Sequence, residues 1–345
     1  MKFREQDGGG NLFSALDHQK LASQRVVGIL RLRDLLDWEE FRPVLNEVTG
    51  YADKDWSKGG RLPFDPVFMF KVLVLQKFHA LSDEATEIQI KDRLSFLSFL
   101  GLRLGDEVPD GNTIWDFKEL IEKDGREGSR KLFEAFHEIL TSENLIAKEG
   151  SIVDASFVDA PRQRNTREEN KQIKGGEIPE GFEKDRAKGR QKDTDARWTK
   201  KNQEVHYGYK NHSKVDAKSK LIDKSVTTPA NVHDSQVFKE LVDKSDNAVL
   251  ADSAYYSEES EEYLLECGAE EFLMRKGYRN NPLSEAEQKT NKGISKIRVR
   301  VEHVFGRMSQ LGMDSVRSIG LERATAHNHL SNLVYNLDRY AFLKG

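Results

Sequence analysis

The spacing of apolar and polar residues changes character near residue 150. Before that point, apolar residues recur at helical intervals. One example is 65–81, where Asp65 and Pro66 are residue types that cap and open a helix. After it, short runs rich in β-branched and aromatic residues are typical of strands. The pattern predicts an all-helical N-terminal region, 1–145, and a mixed α/β domain, 146–345.

Within these regions the pattern predicts individual elements. The N-terminal helices are expected over 29–48, 65–81, 82–100, 113–123 and 129–145. A Pro109-Asp110-Gly111 turn between two of them gives a helix–turn–helix arrangement, which is compatible with DNA binding but also common without it. Later strands are expected over 150–160, 205–215, 221–228, 248–252 and 271–274, with helices over 234–242, 258–266, 294–311 and 324–342. Their order indicates a mixed sheet flanked by helices.

Three acidic residues hold unusual places in this pattern. Asp154 interrupts the first apolar strand, and Asp252 ends the apolar run 248–251. Burying an acid in a core strand is costly unless a cation balances it, although a solvated edge strand would show the same pattern. Glu302 borders the apolar face of helix 294–311, about 120° from its centre, one turn after Arg298. That spacing fits an ordinary surface ion pair as well as a carboxylate at the rim of a site.

Carboxylates from two strand ends and one helix can hold two hard cations such as Mg²⁺ or Mn²⁺. Two such ions about 3.5–4 Å apart activate an attacking oxygen and stabilise a leaving one in phosphodiester cleavage. The sequence shows no P-loop and no motif for a serine or cysteine nucleophile. The letters of a nuclease motif, Ala326-His327-Asn328-His329, do not form a metal site, because residues two apart on a helix point away from each other. We interpret them as surface or partner-facing residues.

Composition narrows the functional class. Charged residues make up 32% of the 345 residues and hydrophobic ones 37%, and the single cysteine, Cys267, excludes an internal disulfide and a cysteine-based zinc site. No apolar run approaches the ~18 residues of a membrane span, and the N-terminus lacks a signal core. We therefore expect a cytoplasmic protein with no membrane partner.

The distribution of charge along the chain indicates nucleic-acid binding more strongly than the net charge does. Net charge is −4, but segment 161–201 has 13 lysines and arginines against 8 acids, so it carries +5 and the remainder −9. A basic insert of this kind is a candidate for phosphate contact, although a solvated, disordered loop would have the same composition. The candidate DNA-binding residues are Lys188, Arg190, Arg197, Trp198, Lys200 and Lys201 in the insert, and Lys210 and His212 on the next strand.

Several stretches together resemble a known family. They are RLPFDPVFM at 61–69, IVDA at 152–155, DARW at 195–198, HYGYKNH at 206–212, TPANVHD at 228–234, LAD at 250–252 and RVRVEHVFG at 298–306. Across about 30–337 the chain resembles the bacterial insertion-sequence transposases with a DDE triad, of the insertion-sequence-five type. Any one stretch alone would be weak, and the combination is highly specific.

The resemblance implies an RNase H-like catalytic domain. It implies that Asp154, Asp252 and Glu302 bind two Mg²⁺ or Mn²⁺ ions and that Arg298 assists them; the separations of 98 and 50 residues suit that fold. It implies cleavage at the element's terminal inverted repeats and strand transfer into target DNA. The enzyme would then act as a homodimer on double-stranded DNA, in the bacterial cytoplasm and on the nucleoid.

Three positions depart from the family pattern, and two other functions stay open. Ser295 and Ser309 stand where related chains have tyrosine and lysine, and Ala254 where glycine is usual. These differences concern secondary DNA contacts rather than the triad. The alternatives are a non-catalytic DNA-binding protein descended from a transposase, and a metal nuclease with no joining step.

Overall fold

The computed structural model of the protein describes residues 28–51, 61–201, 203–279 and 281–345. The chain forms two compact units, Met1–Leu120 with Tyr340–Gly345, and Ile121–Arg339. The described part of the first unit is helical, and the second contains a six-stranded mixed sheet with helices around it. The mixed α/β fold class with an N-terminal helical region is therefore confirmed. Within the described ranges, every helix is too short or too polar to cross a membrane.

The helices up to the sheet follow the predicted periodicity. They are α1 (Ile29–Leu35), α2 (Arg42–Thr49), α3 (Pro66–Phe78), α4 (Asp83–Asp92), α5 (Leu94–Leu100), α6 (Gly111–Glu122) and α7 (Gly128–Ser142). Helix α3 begins where the sequence predicts, since the Asp65 carboxylate accepts hydrogen bonds from the amides of Val67 and Phe68. Almost all of α3 is buried, and Phe70 packs with Trp38 in an aromatic core.

The second unit contains the remaining elements. The strands are β1 (Ser151–Asp159), β2 (Arg197–Lys201), β3 (Glu204–Asp216), β4 (Ile222–Pro229), β5 (Ala248–Ala251) and β6 (Glu270–Leu273). The helices are α8 (Arg167–Lys174), α9 (Glu180–Lys184), α10 (Arg186–Gly189), α11 (Phe238–Leu241), α12 (Glu258–Cys267), α13 (Glu285–Gln310) and α14 (Leu321–Lys344).

Strand β1 is at the centre of the sheet, whose order is β2-β3-β1-β5-β6, with β4 also paired to β3. It runs antiparallel to β3 and parallel to β5, and β5 runs parallel to β6. Residues of β1 alternate between two cores. Val153 belongs to one with Phe238 and Tyr255, and Val158 to another with Tyr209. An acid on β1 is therefore held by a strand with neighbours on both sides.

Strand β3 changes its outer partner at Gly208. The β2 pairing ends at Arg197–Gly208, and the β4 pairing starts at Tyr209–Pro229. Gly208 has a φ of 150°, and a Cβ there would lie 2.3 Å from the Val158 carbonyl oxygen. Only glycine fits this position without moving the backbone of β1.

Three sequence predictions of elements need correction. The helix expected over 82–100 is two helices, because Arg93 is extended with φ −101° and ψ 114°. Strand β2 was not predicted, because its sequence is polar and it lies at a sheet edge. Helix α13 begins nine residues earlier than predicted, at a capping box formed by Ser284 and Glu287. The segment 161–201 contains three short helices as well as β2.

A lysine is buried with carboxylates at the sheet. The Lys214 side chain on β3 is 1% exposed, and its Nζ lies 2.8 Å from Asp223, 3.0 Å from Asp246 and 3.4 Å from Asp243. Asp223 also contacts His137 Nε2 at 2.5 Å. These neighbours raise the pKa of Lys214 and lower that of Asp223, although burial opposes both shifts.

The interpretation of 326–329 as surface or partner-facing residues is wrong at two positions, which are buried inside the chain. Asn328 is 1% exposed and donates a hydrogen bond to Thr227 Oγ1 at 2.9 Å. His329 is 9% exposed, and its ring stacks on Phe133 with centroids 6.5 Å apart. Helix α14 turns this face toward the sheet and α7, so both residues are structural.

Burial of His329 predicts acid sensitivity. Burial, with a smaller contribution from Arg130 and an opposing one from Glu127, lowers the pKa of His329 to about 4. The unfolded chain binds this proton near pH 6.5, so the stabilising effect is complete above that pH and is lost as pH falls toward 4. The loss should reach about 3 kcal/mol. Urea unfolding at pH 7 and pH 4.5 should show a smaller acid loss for His329→Phe than for the parent. Replacing exposed His303 with phenylalanine should leave the parental loss, and equal losses in all three would contradict the prediction.

Candidate active site

Two acids meet at the carboxyl end of the parallel strand pair. The β1–β5 register ends at Val153–Ala251, so Asp154 and Asp252 are the next residues on the two strands. The carboxyl ends of neighbouring parallel strands are a usual place for a site in an α/β sheet. The two acids are 98 positions apart in the sequence, and the parallel pairing of β1 and β5 brings them to the same end of the strand pair.

Each aspartate is fixed by one oxygen and presents the other to Arg298. Asp154 Oδ1 accepts a hydrogen bond from the Ala155 amide at 2.8 Å, and Asp252 Oδ1 accepts one from the Ala254 amide at 2.8 Å. Arg298 Nη2 on α13 lies 2.7 Å from Asp154 Oδ2 and 4.0 Å from Asp252 Oδ2. The structure thus brings together three of the four predicted catalytic residues.

Burial dominates the electrostatics of Asp154. It raises the pKa of the Asp154 carboxyl, Arg298 opposes this, and the charge of Asp252 adds to it. Tyr255 is fully buried nearby, and burial together with Asp234, Asp154 and Asp252 raises its pKa well above the usual value. Among the described residues, its hydroxyl has no hydrogen-bond partner. The site is therefore rich in negative charge.

Glu302 lies beside this group without joining it. It is exposed on α13, four residues after Arg298, which is about 6 Å along the helix. Arg298 pairs with Asp154 and Asp252, and no ion pair with Glu302 is found in the described part of the chain. In that same part, no three acidic, histidine or cysteine side chains are close enough together to hold a metal ion.

The donor chemistry nevertheless suits a divalent cation. Asp154 and Asp252 offer hard carboxylate oxygens, and a buried carboxylate beside a second one gains from a nearby cation. With Glu302 one helical turn from Arg298, the candidate ligands for such an ion are the three acids.

Four of the predicted DNA-binding residues are exposed. They are Arg190, Trp198, Lys200 and Lys201. Trp198 is 43% exposed, packs on Tyr207 with centroids 4.8 Å apart, and has the Arg162 guanidinium 5.6 Å above its ring. Lys201 Nζ lies 5.8 Å from the ring of Phe157, on the strand that carries Asp154. Cations next to aromatic faces form a surface typical of nucleic-acid contact.

The other four predicted DNA-binding residues make internal contacts. Lys188 pairs with Glu169 at 2.6 Å, and Arg197 donates to backbone carbonyl oxygens such as Thr194 O at 2.6 Å. Lys210 is buried and pairs with Asp234 at 2.7 Å. His212 is fully buried; its Nε2 is 2.9 Å from Thr228 Oγ1, and burial lowers its pKa to about 4.

Sequence reasoning did not assign a role to Met274, which contacts Arg298 beside the acids. Met274 Sδ lies 3.5 Å from Arg298 Nη1. No sequence signal marks this contact, because it depends on how α13 packs against the end of β6.

Comparison with protein families agrees with the geometry. Residues 146–337 match the family described as the transposase DDE domain, and residues 21–120 match the transposase domain DUF772. No solved structure matches the chain.

Proposed function

Since the chain belongs to the DDE transposases of the insertion-sequence kind, metal-dependent enzymes that cleave DNA and transfer strands, we propose roles for its residues. Asp154, Asp252 and Glu302 are the metal-binding acids, and Arg298 positions the two aspartates. The supporting observation is the pair of aspartates at the carboxyl end of the β1–β5 pairing. Each aspartate accepts a hydrogen bond from a backbone amide and faces the guanidinium of Arg298.

Asp154, Asp252 and Glu302 would hold two Mg²⁺ or Mn²⁺ ions, which when bound would supply the charge for activating the attacking oxygen and stabilising the leaving one. The backbone amides of Ala155 and Ala254 keep one oxygen of each aspartate fixed. Arg298 holds the second oxygen of Asp154 and limits its rotation. Tyr255 is buried near Asp154 and Asp252.

The DNA substrate is double-stranded DNA at the terminal inverted repeats of the element and at its target. The exposed side chains of Arg190, Trp198, Lys200 and Lys201 contact its backbone. The N-terminal helical region, 1–145, recognises DNA or forms the dimer, and the protein acts as a homodimer on DNA in the bacterial cytoplasm and nucleoid.

A metal titration tests the acid roles separately from DNA. Calorimetric titration with Mn²⁺ should show two bound ions in the parent, and Asp252→Asn should weaken binding by at least tenfold because a ligand charge is lost. The matched control is Asp124→Asn, which removes one exposed carboxylate elsewhere in the same unit. Equal Mn²⁺ affinity in the parent and both variants would remove Asp252 from the site.

Cleavage assays separate this function from its alternatives. DNA carrying the inverted repeats that flank the reading frame should be cut and joined to target DNA in Mg²⁺. Binding without cleavage would support a transposase-derived DNA-binding protein, and cleavage without joining would support a nuclease.

A further inference from the structure

A groove lies beside helix α13, and one of its lining residues contacts Arg298. It is lined by Met274, Asn291, Lys292, Ser295, Lys296 and Val299. At one end, Met274 Sδ lies 3.5 Å from Arg298 Nη1, and Arg298 Nη2 binds Asp154. Met274 therefore links the lining of the groove to the Arg298–Asp154 ion pair.

Helical spacing places Glu302 on the groove side of α13. Asn291, Ser295 and Glu302 are four and then seven residues apart, so they lie within about 40° of each other around the helix axis. Ser295 precedes Glu302 by about 10.5 Å, which is roughly three base-pair steps of duplex DNA. A strand cut beside Glu302 could reach the groove within a few nucleotides.

The groove carries two lysines, and the structure shows no carboxylate beside them among the residues it describes. Lys292 and Lys296 are exposed and one turn apart, and α13 has no acid between Glu287 and Glu302. Among the residues that the structure describes, neither lysine has a carboxylate partner. Like charges at this spacing destabilise a helix, so the pair is better explained by an external polyanion than by folding.

The walls of the groove are held in place by the protein itself. Asn291 Oδ1 accepts a hydrogen bond from the Arg275 amide at 3.0 Å, and its Nδ2 donates to the Arg275 carbonyl at 2.9 Å. This double hydrogen bond ties α13 to the segment after β6. The apolar side is formed by Met274 and by Val299, which is 41% exposed.

We propose that this groove is a binding subsite for the DNA strand flanking the scissile phosphate. Lys292 and Lys296 contact phosphates, and Met274 and Val299 contact the sugar or base of the same strand. The inference rests on the proposed function and adds a specific path for the strand. DNA is favoured over an acidic peptide because Met274 of the groove contacts Arg298, which binds Asp154, one of the proposed metal-binding acids.

The salt dependence of binding tests the two phosphate contacts. The probe is a short duplex of arbitrary sequence with one single-stranded end, since phosphate contacts do not depend on sequence. Lys292→Gln with Lys296→Gln should reduce the slope of log affinity against log salt by about 1.8. A fourfold rise in salt should then weaken the variant about twelvefold less than the parent. The control, Lys239→Gln with Lys244→Gln, removes two exposed lysines that precede β5 in the chain, whereas Asp252 follows β5.

Cross-linking tests the position of the strand. In protein with Cys267→Ser, Ser295→Cys should form a disulfide with DNA that carries an activated thiol tether on a phosphate near its single-stranded end. Ser245→Cys, an exposed position before β5, should not cross-link. Thermal unfolding of each variant confirms that it is folded.

The outcomes distinguish a failure of the subsite proposal from a failure of the proposed function. A reduced slope together with a cross-link only at Ser295→Cys supports the subsite. The subsite is overturned if the parent and the Lys292/Lys296 variant show the same slope of log affinity against log salt. It is also overturned if Ser295→Cys and Ser245→Cys cross-link equally. Either result leaves the proposed roles of the acids intact. A parent with no affinity for DNA overturns both the subsite and the proposed function.

Discussion

Glu302→Gln should abolish strand cleavage while leaving folding and DNA binding nearly intact. Glutamine keeps the size and helix propensity of glutamate but lacks the charge that a hard cation needs. We expect a loss of at least about 10³-fold in cleavage rate, the upper range for removing one preorganised electrostatic group. Single-turnover cleavage in Mg²⁺ on inverted-repeat DNA, together with binding and thermal unfolding, measures the three effects.

Two controls sharpen the Glu302 test. Glu285→Gln removes a carboxylate from the first turn of the same helix and should leave cleavage unchanged. Arg298→Ala should be milder than Glu302→Gln and retain residual cleavage, because Arg298 orients Asp154 and is not a ligand. Parental cleavage by Glu302→Gln would remove Glu302 from the active site, and with it much of the case for this assignment.

Of the substitutions proposed here, Lys214→Met should lower the free energy of unfolding the most. The side chain is almost wholly buried, and its removal leaves Asp246 and Asp223, 3% and 15% exposed, without their shared cation. Leaving a buried charge unpaired typically costs about 3–5 kcal/mol. Urea unfolding at pH 7 measures the change in the free energy of unfolding.

A neighbouring lysine gives the matched comparison. Lys224 is 45% exposed and lies 3.9 Å from Asp243, so Lys224→Met should cost at most about 1 kcal/mol. Adding Asp246→Asn to Lys214→Met should recover part of the loss, because one of the unpaired charges is removed. A small loss for Lys214→Met, comparable with that for Lys224→Met, would show that water or rearrangement compensates the carboxylates.

The fold class, and the placement of Asp154 and Asp252 in one site, could be predicted from the sequence for a physical reason. An acid inside an apolar strand is conspicuous, and Asp154 and Asp252 each interrupt or end such a run. The ion pair between Asp154 and Arg298 joins residues 144 positions apart, so it depends on how α13 packs against the sheet. Local patterns carry no information about that packing.

The missed elements are polar. Strand β2, Arg197–Lys201, lacks apolar alternation and is defined by backbone pairing to β3. The first part of α13 is exposed on all sides, so no apolar stripe marks it, although Ser284 and Glu287 spell a capping box that marks its start. The face of α14 that buries His329 was misread because a helical histidine looks the same in sequence whether it is buried or exposed.

The partner change at Gly208 divides β3 into an outer stretch that pairs with β2 and an inner stretch that pairs with β4. The outer pairing joins Arg197–Lys201 to residues 204–208 at the edge of the sheet. Residues 208–216 of β3 pair with all of β1, the strand of Asp154. Charge changes at exposed β2 residues such as Lys200 and Lys201 should therefore tune DNA affinity without shifting the register that places Asp154.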